Sequence, residues 1–118
     1  MIWEEILVYL PESHNILLID PDGTMDSQKT YLGAPTIVFE SKERGTKIVY
    51  DMSAVYPEKV TQYIRGFYVG DDRQSVTIRD ELTLTGTSTL AWNFITDAEI
   101  NIAADGKSAV LSKNGKQI

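Results

Sequence analysis

The sequence predicts an all-β fold, an antiparallel β-sandwich of about nine or ten strands. The 118 residues include 8 Val, 12 Ile and 11 Thr together with 11 aromatic side chains, the types that suit a pleated, half-buried surface. Apolar and polar residues alternate in several short runs, and residues typical of turns separate these runs. No stretch of about ten or more residues has a clean helical period, so we expect strands joined by turns.

The first half of the chain is predicted to form four strands. Residues 2–10 are the nearest candidate for a helix, but they lack a capping residue and contain Val8 and Tyr9, so we expect a strand there. Further along, Ile48 and Tyr50 alternate with polar neighbours. The predicted strands of this half are residues 3–9, 15–20, 36–40 and 46–51.

The second half carries the clearest alternation. Val76 and Ile78 lie on one face of a predicted strand, and Leu90, Trp92 and Phe94 share one face of another. We expect this aromatic row to lie in the core. The predicted strands are residues 60–69, 74–84, 88–95, 98–104 and 108–112, with a last strand beginning at 116.

Two turn signals near the C-terminus are the strongest in the chain. Asp105-Gly106 and Asn114-Gly115 each place a glycine where a two-residue hairpin needs a positive φ. The chain contains no linker, low-complexity tract or repeat, so residues 1–118 are predicted to form a single β-sandwich domain. The last predicted strand stops after three residues, from which we expect the chain to be a fragment of a larger sandwich.

Composition excludes several classes of function. The chain has no Cys and one His, which rules out disulfides, thiolate metal sites and any site within this chain that needs two imidazoles. A net charge of −6 and a pI near 4.6 argue against nucleic-acid binding, because that affinity comes largely from Lys and Arg at phosphates. No apolar run approaches the ~20 residues of a membrane-spanning helix. The apolar N-terminus has Glu4 and Glu5 where a signal sequence has basic residues, so no signal sequence is predicted.

Three positions are candidates for site chemistry. His14 is the only imidazole and could ligate a metal or act as a base, although a lone histidine before an apolar strand is more often a surface or turn residue. Asp20, Asp22 and Asp26 have the spacing of calcium ligands, but Pro21 and the missing downstream Glu favour a plain turn. A tyrosine can act in β-elimination, yet we expect Tyr56 to be a buried tyrosine closing a corner of the sandwich.

Charged clusters give weaker signals. Arg79-Asp80-Glu81 and Asp71-Asp72-Arg73 pair opposite charges beside or within strands, and we expect both to be solvated edges or hairpin tips. Neither a nucleophile elbow, a P-loop nor a dinucleotide fingerprint occurs in the chain. No complete active site is predicted.

Several segments together resemble one family, the heparinase II/III-like polysaccharide lyases, in its C-terminal β-sandwich. The order and approximate spacing of the motifs match over residues 13–118, although Ile16 and Ile95 replace the Thr and His that are frequent in the family. The matching segments are Ser13-His14-Asn15, Asp20-Pro21-Asp22-Gly23, Ile48-Val49-Tyr50-Asp51-Met52-Ser53-Ala54-Val55-Tyr56-Pro57, a strand containing Arg65, Asp80-Glu81, and Trp92-Asn93-Phe94-Ile95-Thr96.

The resemblance implies that the parent enzyme is periplasmic or secreted and cleaves uronate-containing polysaccharides by β-elimination, with an α/α toroid preceding this sandwich. It implies that His14 is one ligand of a structural zinc, whose other ligands are a His and an Asp from strands upstream of residues 13–15 and outside this chain. It also implies that the catalytic Tyr, His and Asn groups come mostly from the toroid and the upstream sheet. We therefore expect the isolated chain to be inactive and to hold no zinc by itself.

Two alternatives follow from the residues. A non-catalytic carbohydrate-binding or interaction module would expose Trp92 and Tyr68. The lyase fragment would instead bury its aromatic residues and expose an apolar patch around residues 1–12, where the missing strands should pair. An unpaired edge would also permit dimerisation by strand pairing. A calcium-stabilised adhesion domain would instead bind an ion at Asp20, Asp22 and Asp26.

Overall fold

The structure, a computed structural model, describes residues 14–21 and 35–118, and within these ranges nine strands form three antiparallel sheets. The predicted all-β, sandwich-like fold is confirmed. The only helical segment of the described ranges is the short 3₁₀ turn Ser53–Val55, and none of their helices could cross a membrane. The strand predicted at residues 3–9, the apolar patch expected around residues 1–12 and the candidate ligands Asp22 and Asp26 lie outside the described residues.

The largest sheet is a four-stranded meander. Its strands β2 (Thr36–Ser41), β3 (Thr46–Asp51), β4 (Val60–Val69) and β5 (Val76–Leu84) pair in sequence order. Each strand therefore reaches its neighbour through a short connection, as expected where alternating runs are separated by turn residues.

A second, two-stranded sheet joins distant parts of the chain. β1 (Leu17–Ile19) pairs with β6 (Leu90–Trp92), and the amide of Asn93 extends the ladder by donating to the Ile16 carbonyl at 2.9 Å. β1 is buried along its whole length. It consists of apolar residues only, which fits a strand covered on both faces.

The third sheet contains β7 (Glu99–Ile102), β8 (Ala109–Lys113) and β9 (Lys116–Gln117). Asn114 and Gly115 both have positive φ, so the predicted two-residue hairpin between β8 and β9 is confirmed. The two-residue hairpin predicted at Asp105-Gly106 was wrong, because the loop there is longer. Gly106 does have positive φ, but the Ala103 amide bonds to the Ser108 carbonyl, which makes the loop longer than two residues.

The core lies where β1 packs on the meander. Leu17 and Ile19 contact residues of the β3–β4 connection and of β4, among which Tyr63 is fully buried. Met52, Leu82 and Leu84 pack against this cluster from the side. Its buried members are Leu17, Ile19, Val55, Tyr56, Val60 and Tyr63.

Candidate functional site

Residues from four separate motifs meet where β1 and β6 cross β4 and β5, at a place we call the joint, formed by Asn15, Arg65, Asp80 and Trp92. The Arg65 guanidinium donates two hydrogen bonds to the Asp80 carboxylate, from Nε to Oδ1 at 2.6 Å and from Nη2 to Oδ2 at 2.9 Å. The Trp92 indole nitrogen donates to the same Oδ2 at 3.0 Å. Arg65 Nη1 also reaches the Asn15 carbonyl at 3.5 Å, so the joint connects β6 and the start of β1 to the central hairpin.

The position of Arg65 opposite Asp80 follows from strand register. The two residues are directly paired across β4 and β5, so their side chains lie on the same face of the sheet. The Arg65 and Asp80 side chains are only 6% and 9% exposed. Desolvation raises the pKa of Asp80, but the hydrogen bonds and charge of Arg65 outweigh it, and the net result is a lowered pKa.

The expectation that Asp80 lies on a solvated edge was therefore wrong. In the sequence Asp80 stands between Arg79 and Glu81, and these two neighbours do form an exposed ion pair with each other. Alternation turns the middle residue of such a triplet to the opposite face, where Asp80 meets Arg65. Sequence adjacency of opposite charges could not reveal that partner.

A second set of contacts fixes the corner between β3 and β4. The Tyr56 hydroxyl donates to the Leu17 carbonyl at 2.9 Å and its ring is 3% exposed, so the predicted buried corner tyrosine is confirmed. The Ser53 hydroxyl donates to Asp51 at 2.6 Å and accepts the Tyr63 amide at 3.0 Å. These bonds tie the Asp51-to-Pro57 motif to the core.

The Tyr63 hydroxyl stands apart from this network. It is buried and makes no hydrogen bond of normal geometry, although the Asp80 carboxylate lies close enough to influence it. Burial raises its pKa, the nearby Arg65 lowers it and Asp80 raises it, and the net shift is upward. Arg65 also lies 5.9 Å from the centre of the Tyr63 ring, which adds a cation–π contact to the joint.

Asp20 is engaged by protein groups rather than held open for calcium. Its Oδ1 accepts the Thr89 amide at 2.7 Å and its Oδ2 forms an ion pair with Lys59 at 2.8 Å. The hydrogen bond from Lys59, supported by those from Thr89 and Ser88, lowers the pKa of Asp20 to about 2. Asp20 therefore links the end of β1 to the loop before β6 and to the residue before β4.

The described residues do not fit a zinc site. His14 is exposed at the start of the described segment, and within residues 14–21 and 35–118 no three His, Cys, Asp or Glu side chains lie close enough to hold a metal ion. A structural zinc normally takes four ligands. The assignment of His14 as a zinc ligand stays a prediction.

The aromatic row on β6 is exposed, which corrects the expectation that it belongs to the core. Leu90, Trp92 and Phe94 are 45%, 41% and 52% exposed, and the Trp92 and Phe94 rings stack with centroids 6.1 Å apart. They line an open groove of about 600 Å³ with apolar residues of β1 and β5. Tyr68, the other aromatic residue proposed to be exposed, is half-buried with its ring over Gly66.

The chemistry of the joint is unsuited to proton abstraction. The Asp80 carboxylate is buried and accepts three hydrogen bonds, and despite desolvation the bonds and charge of Arg65 give it a lowered pKa, which makes it a weak base. The Arg65 guanidinium is not a base at neutral pH. The arrangement suits a structural role.

Comparisons with known proteins identify no relative of this chain. A scan against models of known protein families found no match, and searches of curated proteins and of solved structures found none either.

Proposed function

We propose that this chain forms part of the C-terminal β-sandwich of a heparinase II/III-like polysaccharide lyase, whose parent enzyme cleaves uronate-containing glycans by β-elimination. In this proposal the sandwich supports the catalytic domain and supplies no complete active site of its own. The parent would also provide the α/α toroid and the residues that hold any zinc.

The joint is the observation that carries the proposal. The motifs of the resemblance are scattered from residue 13 to residue 96, and the joint takes one side chain from each of three of them, Arg65, Asp80 and Trp92. The segment of Asn15 adds a backbone carbonyl at 3.5 Å, and the Asn15 side chain accepts the Ile95 amide of a further motif at 2.6 Å. A chance set of short matches has no reason to converge on one bonded cluster. Convergence is expected if the motifs mark the positions that hold this particular sandwich together.

The remaining motifs support the same interpretation. Asp20 fastens β1 to Thr89 and Lys59, and Tyr56 closes the corner over Leu17. Each of these side chains bonds to other parts of the protein, which is what residues of a supporting domain should do. The chemistry of elimination then belongs to groups outside these segments.

The test is an eliminative-cleavage assay on two proteins, the complete polypeptide that contains this chain and the 118-residue chain alone. Elimination creates a carbon–carbon double bond in the uronate, which is followed by ultraviolet absorbance. We expect the complete polypeptide to produce it from at least one of heparan sulfate, alginate or hyaluronan, and the isolated chain to produce none.

A variant in the complete polypeptide provides the control for a supporting role. Asp80→Asn should lower the thermal stability of the complete enzyme, whereas Glu99→Gln at an exposed site on β7 should leave it unchanged. Cleavage by the isolated chain, or a complete polypeptide that has no helical toroid and gives no unsaturated product, would disprove the proposal.

The exposed aromatic row favours a second candidate, a carbohydrate-binding module, and differs from the buried aromatic residues expected of the lyase fragment. Trp92 is held in a fixed orientation by Asp80 while its ring and that of Phe94 remain exposed, an arrangement on which the apolar face of a pyranose ring could stack. Against this candidate, the groove beside the rings is lined mainly by aliphatic side chains that offer no hydrogen bonds to sugar hydroxyls.

Titration of the isolated chain with uronate and neutral oligosaccharides tests the second candidate. Binding should change tryptophan fluorescence and should be lost in Phe94→Ala, which leaves the joint intact, but retained in Ile102→Ala on β7. No binding to any oligosaccharide would remove this candidate.

A further inference from the structure

The outer edge of β5 is the longest free strand edge among the described residues. β5 runs from Val76 to Leu84, and within the described ranges it pairs only with β4. A long strand edge presents unpaired backbone amides and carbonyls, which favours pairing with another strand. Side chains at its beginning are also exposed, with Val76 65% and Ile78 36% accessible.

The sequence of β5 is chemically symmetric about Asp80. Reading outward from that residue, Arg79 stands opposite Glu81, and Ile78 opposite Leu82. Further out, Thr77 matches Thr83 and Val76 matches Leu84. Strand β5 is therefore complementary to a second copy of itself that runs in the opposite direction.

We propose that two copies of this chain associate through antiparallel pairing of their β5 edges around a two-fold axis at Asp80. This inference is independent of the proposed lyase function. A two-fold interface uses the same patch on both partners, so each complementary pair occurs twice. The pairing joins the two meanders into one eight-stranded sheet across the dimer.

Charge complementarity fixes the register. With Asp80 at the axis, Arg79 of each copy lies directly opposite Glu81 of the other, and both lie on the solvent-facing side of the sheet. In the single chain these two side chains pair with each other at 2.5 Å while remaining 65% and 54% exposed. An exposed ion pair is weak, and the two copies together exchange two such intrachain pairs for two cross-strand pairs, so the exchange costs little. The charge pattern therefore selects this register over registers that place like charges opposite each other.

The other face of β5 contributes apolar contacts. Ile78 and Leu82 belong to the wall of the open groove, and the pairing places each next to its counterpart on the second copy. The two Asp80 residues meet at the axis, but each carboxylate is already neutralised by its own Arg65 and turned towards Trp92. The axis therefore does not bring two unpaired charges together.

Sedimentation equilibrium of the 118-residue chain over increasing concentration tests the proposal. The unmodified chain should form dimers, and Glu81→Arg should weaken dimerisation roughly tenfold or more because two like-charge pairs replace two opposite-charge pairs. The same should hold for Arg79→Glu. The double variant Arg79→Glu/Glu81→Arg exchanges the charges and should restore dimerisation.

Mixing the two single variants gives the sharpest result. Arg79→Glu carries two acidic residues and Glu81→Arg two basic ones, so each should be monomeric alone while their mixture forms a heterodimer. Glu99→Arg on β7 makes the same change in net charge away from β5 and should leave dimerisation unaltered. Circular dichroism establishes that each variant is folded.

Several outcomes would overturn the proposal. A chain that stays monomeric up to millimolar concentration has no such interface. If folded Glu81→Arg dimerises as well as the unmodified chain, or if the mixed variants fail to associate, the pairing in this register is wrong. Binding of the chain to a separate domain of a parent enzyme through β5, with no self-association, would identify a different occupant and equally reject the dimer.

Discussion

Two tyrosines of the core, Tyr56 and Tyr63, differ in the hydrogen bonding of their hydroxyl groups. The Tyr56 and Tyr63 rings pack with centroids 6.4 Å apart, and both residues are buried. The Tyr56 hydroxyl has the Leu17 carbonyl as its acceptor, whereas the Tyr63 hydroxyl makes no hydrogen bond of normal geometry. A buried hydroxyl without a partner lowers stability, because it has given up its hydrogen bonds to water.

The pair therefore gives a matched test. We expect Tyr56→Phe to lower the free energy of unfolding by about 1 kcal/mol, and Tyr63→Phe to leave it unchanged or raise it. The midpoint of urea unfolding measures both. A loss in Tyr63→Phe equal to that in Tyr56→Phe would mean that the Tyr63 hydroxyl does have a partner.

The Arg65–Asp80 pair should be far more important than its exposed neighbour. Asp80→Asn leaves a guanidinium buried without its counter-charge, so we expect unfolding to become easier by about 3 kcal/mol or more. Measured at a concentration at which the chain is monomeric, Glu81→Gln disrupts only an exposed intrachain pair and should cost less than about 1 kcal/mol. The double variant Arg65→Met/Asp80→Leu removes both charges and should be more stable than Asp80→Asn. Equal losses in Asp80→Asn and Glu81→Gln would show that the joint is not a buried ion pair in energetic terms.

For single residues, the sequence predicted which side chains share a strand face more accurately than whether that face is buried. Alternation correctly grouped Leu90, Trp92 and Phe94 on one side of a strand, but it carries no information on whether another layer covers that side. Tyr56 was correctly predicted to be buried, although its ψ of 59° lies outside the extended form that the following Pro favours. The partner of Asp80 was not predictable from neighbouring residues, since it depends on the register between β4 and β5.

At the scale of elements, hydrogen bonds connect the β2–β3 turn to the β4–β5 turn. The Arg73 guanidinium donates to the carbonyls of Lys42 and Glu43, which links the β4–β5 turn to the β2–β3 turn. Gly45 lies in the β2–β3 turn with φ of 73°, and a Cβ placed there would lie 2.9 Å from a carboxylate oxygen of Asp71. Both the backbone and the space favour glycine at this position.

We expect Gly45→Ala to destabilise the protein by about 1–2 kcal/mol, since it forces an L-residue into the left-handed region. Gly86 is the matched control, because its φ is not positive and no atom lies within 4 Å of a Cβ built there. Gly86→Ala should be neutral or slightly stabilising. Thermal unfolding of both variants measures the difference, and an equal effect at the two sites would refute the strain at Gly45.

The existence and order of the strands were readable from the sequence because period-two alternation is a local property. Predicted residues 60–69 coincide with β4. Strand ends were less accurate, as the run predicted at 88–95 contains only β6 (Leu90–Trp92) as a regular strand. β6 is short because its partner strand β1 is itself only three residues long.

At the scale of the whole molecule, acid should destabilise the protein through three carboxylates of the part of the chain that the structure describes. Lys59 and Thr89 lower the pKa of Asp20 to about 2, and hydrogen bonds from Ser53 lower the pKa of Asp51. The pKa of Asp80 is raised by desolvation but lowered further by Arg65, for a net decrease. A carboxyl whose pKa is lower in the folded state stabilises the protein above its unfolded value of 3.8 and loses that contribution as pH falls towards the folded value.

We therefore expect the urea midpoint to be nearly constant above about pH 5 and to fall steadily between about pH 4 and pH 2. In Asp20→Asn part of this decrease should disappear, whereas Asp105→Asn at the exposed β7–β8 loop should leave it unchanged. A midpoint that rises as the pH falls below 4 would contradict the assignment.

The pairing of Leu17 with Trp92 has a consequence for the order of folding. Strands β2 to β5 pair with neighbours in sequence and close only short loops, whereas β1 and β6 can pair only after nearly the whole intervening chain has been brought together. The entropy of closing so long a loop favours early formation of the meander and late docking of β1 with β6. In pulsed hydrogen exchange we expect the amides of β4 to be protected before those of Leu18 and Ala91, and simultaneous protection would argue against this order. The joint would then be the last part of the structure to assemble, with Asp80 already bonded to Arg65 when the indole of Trp92 arrives.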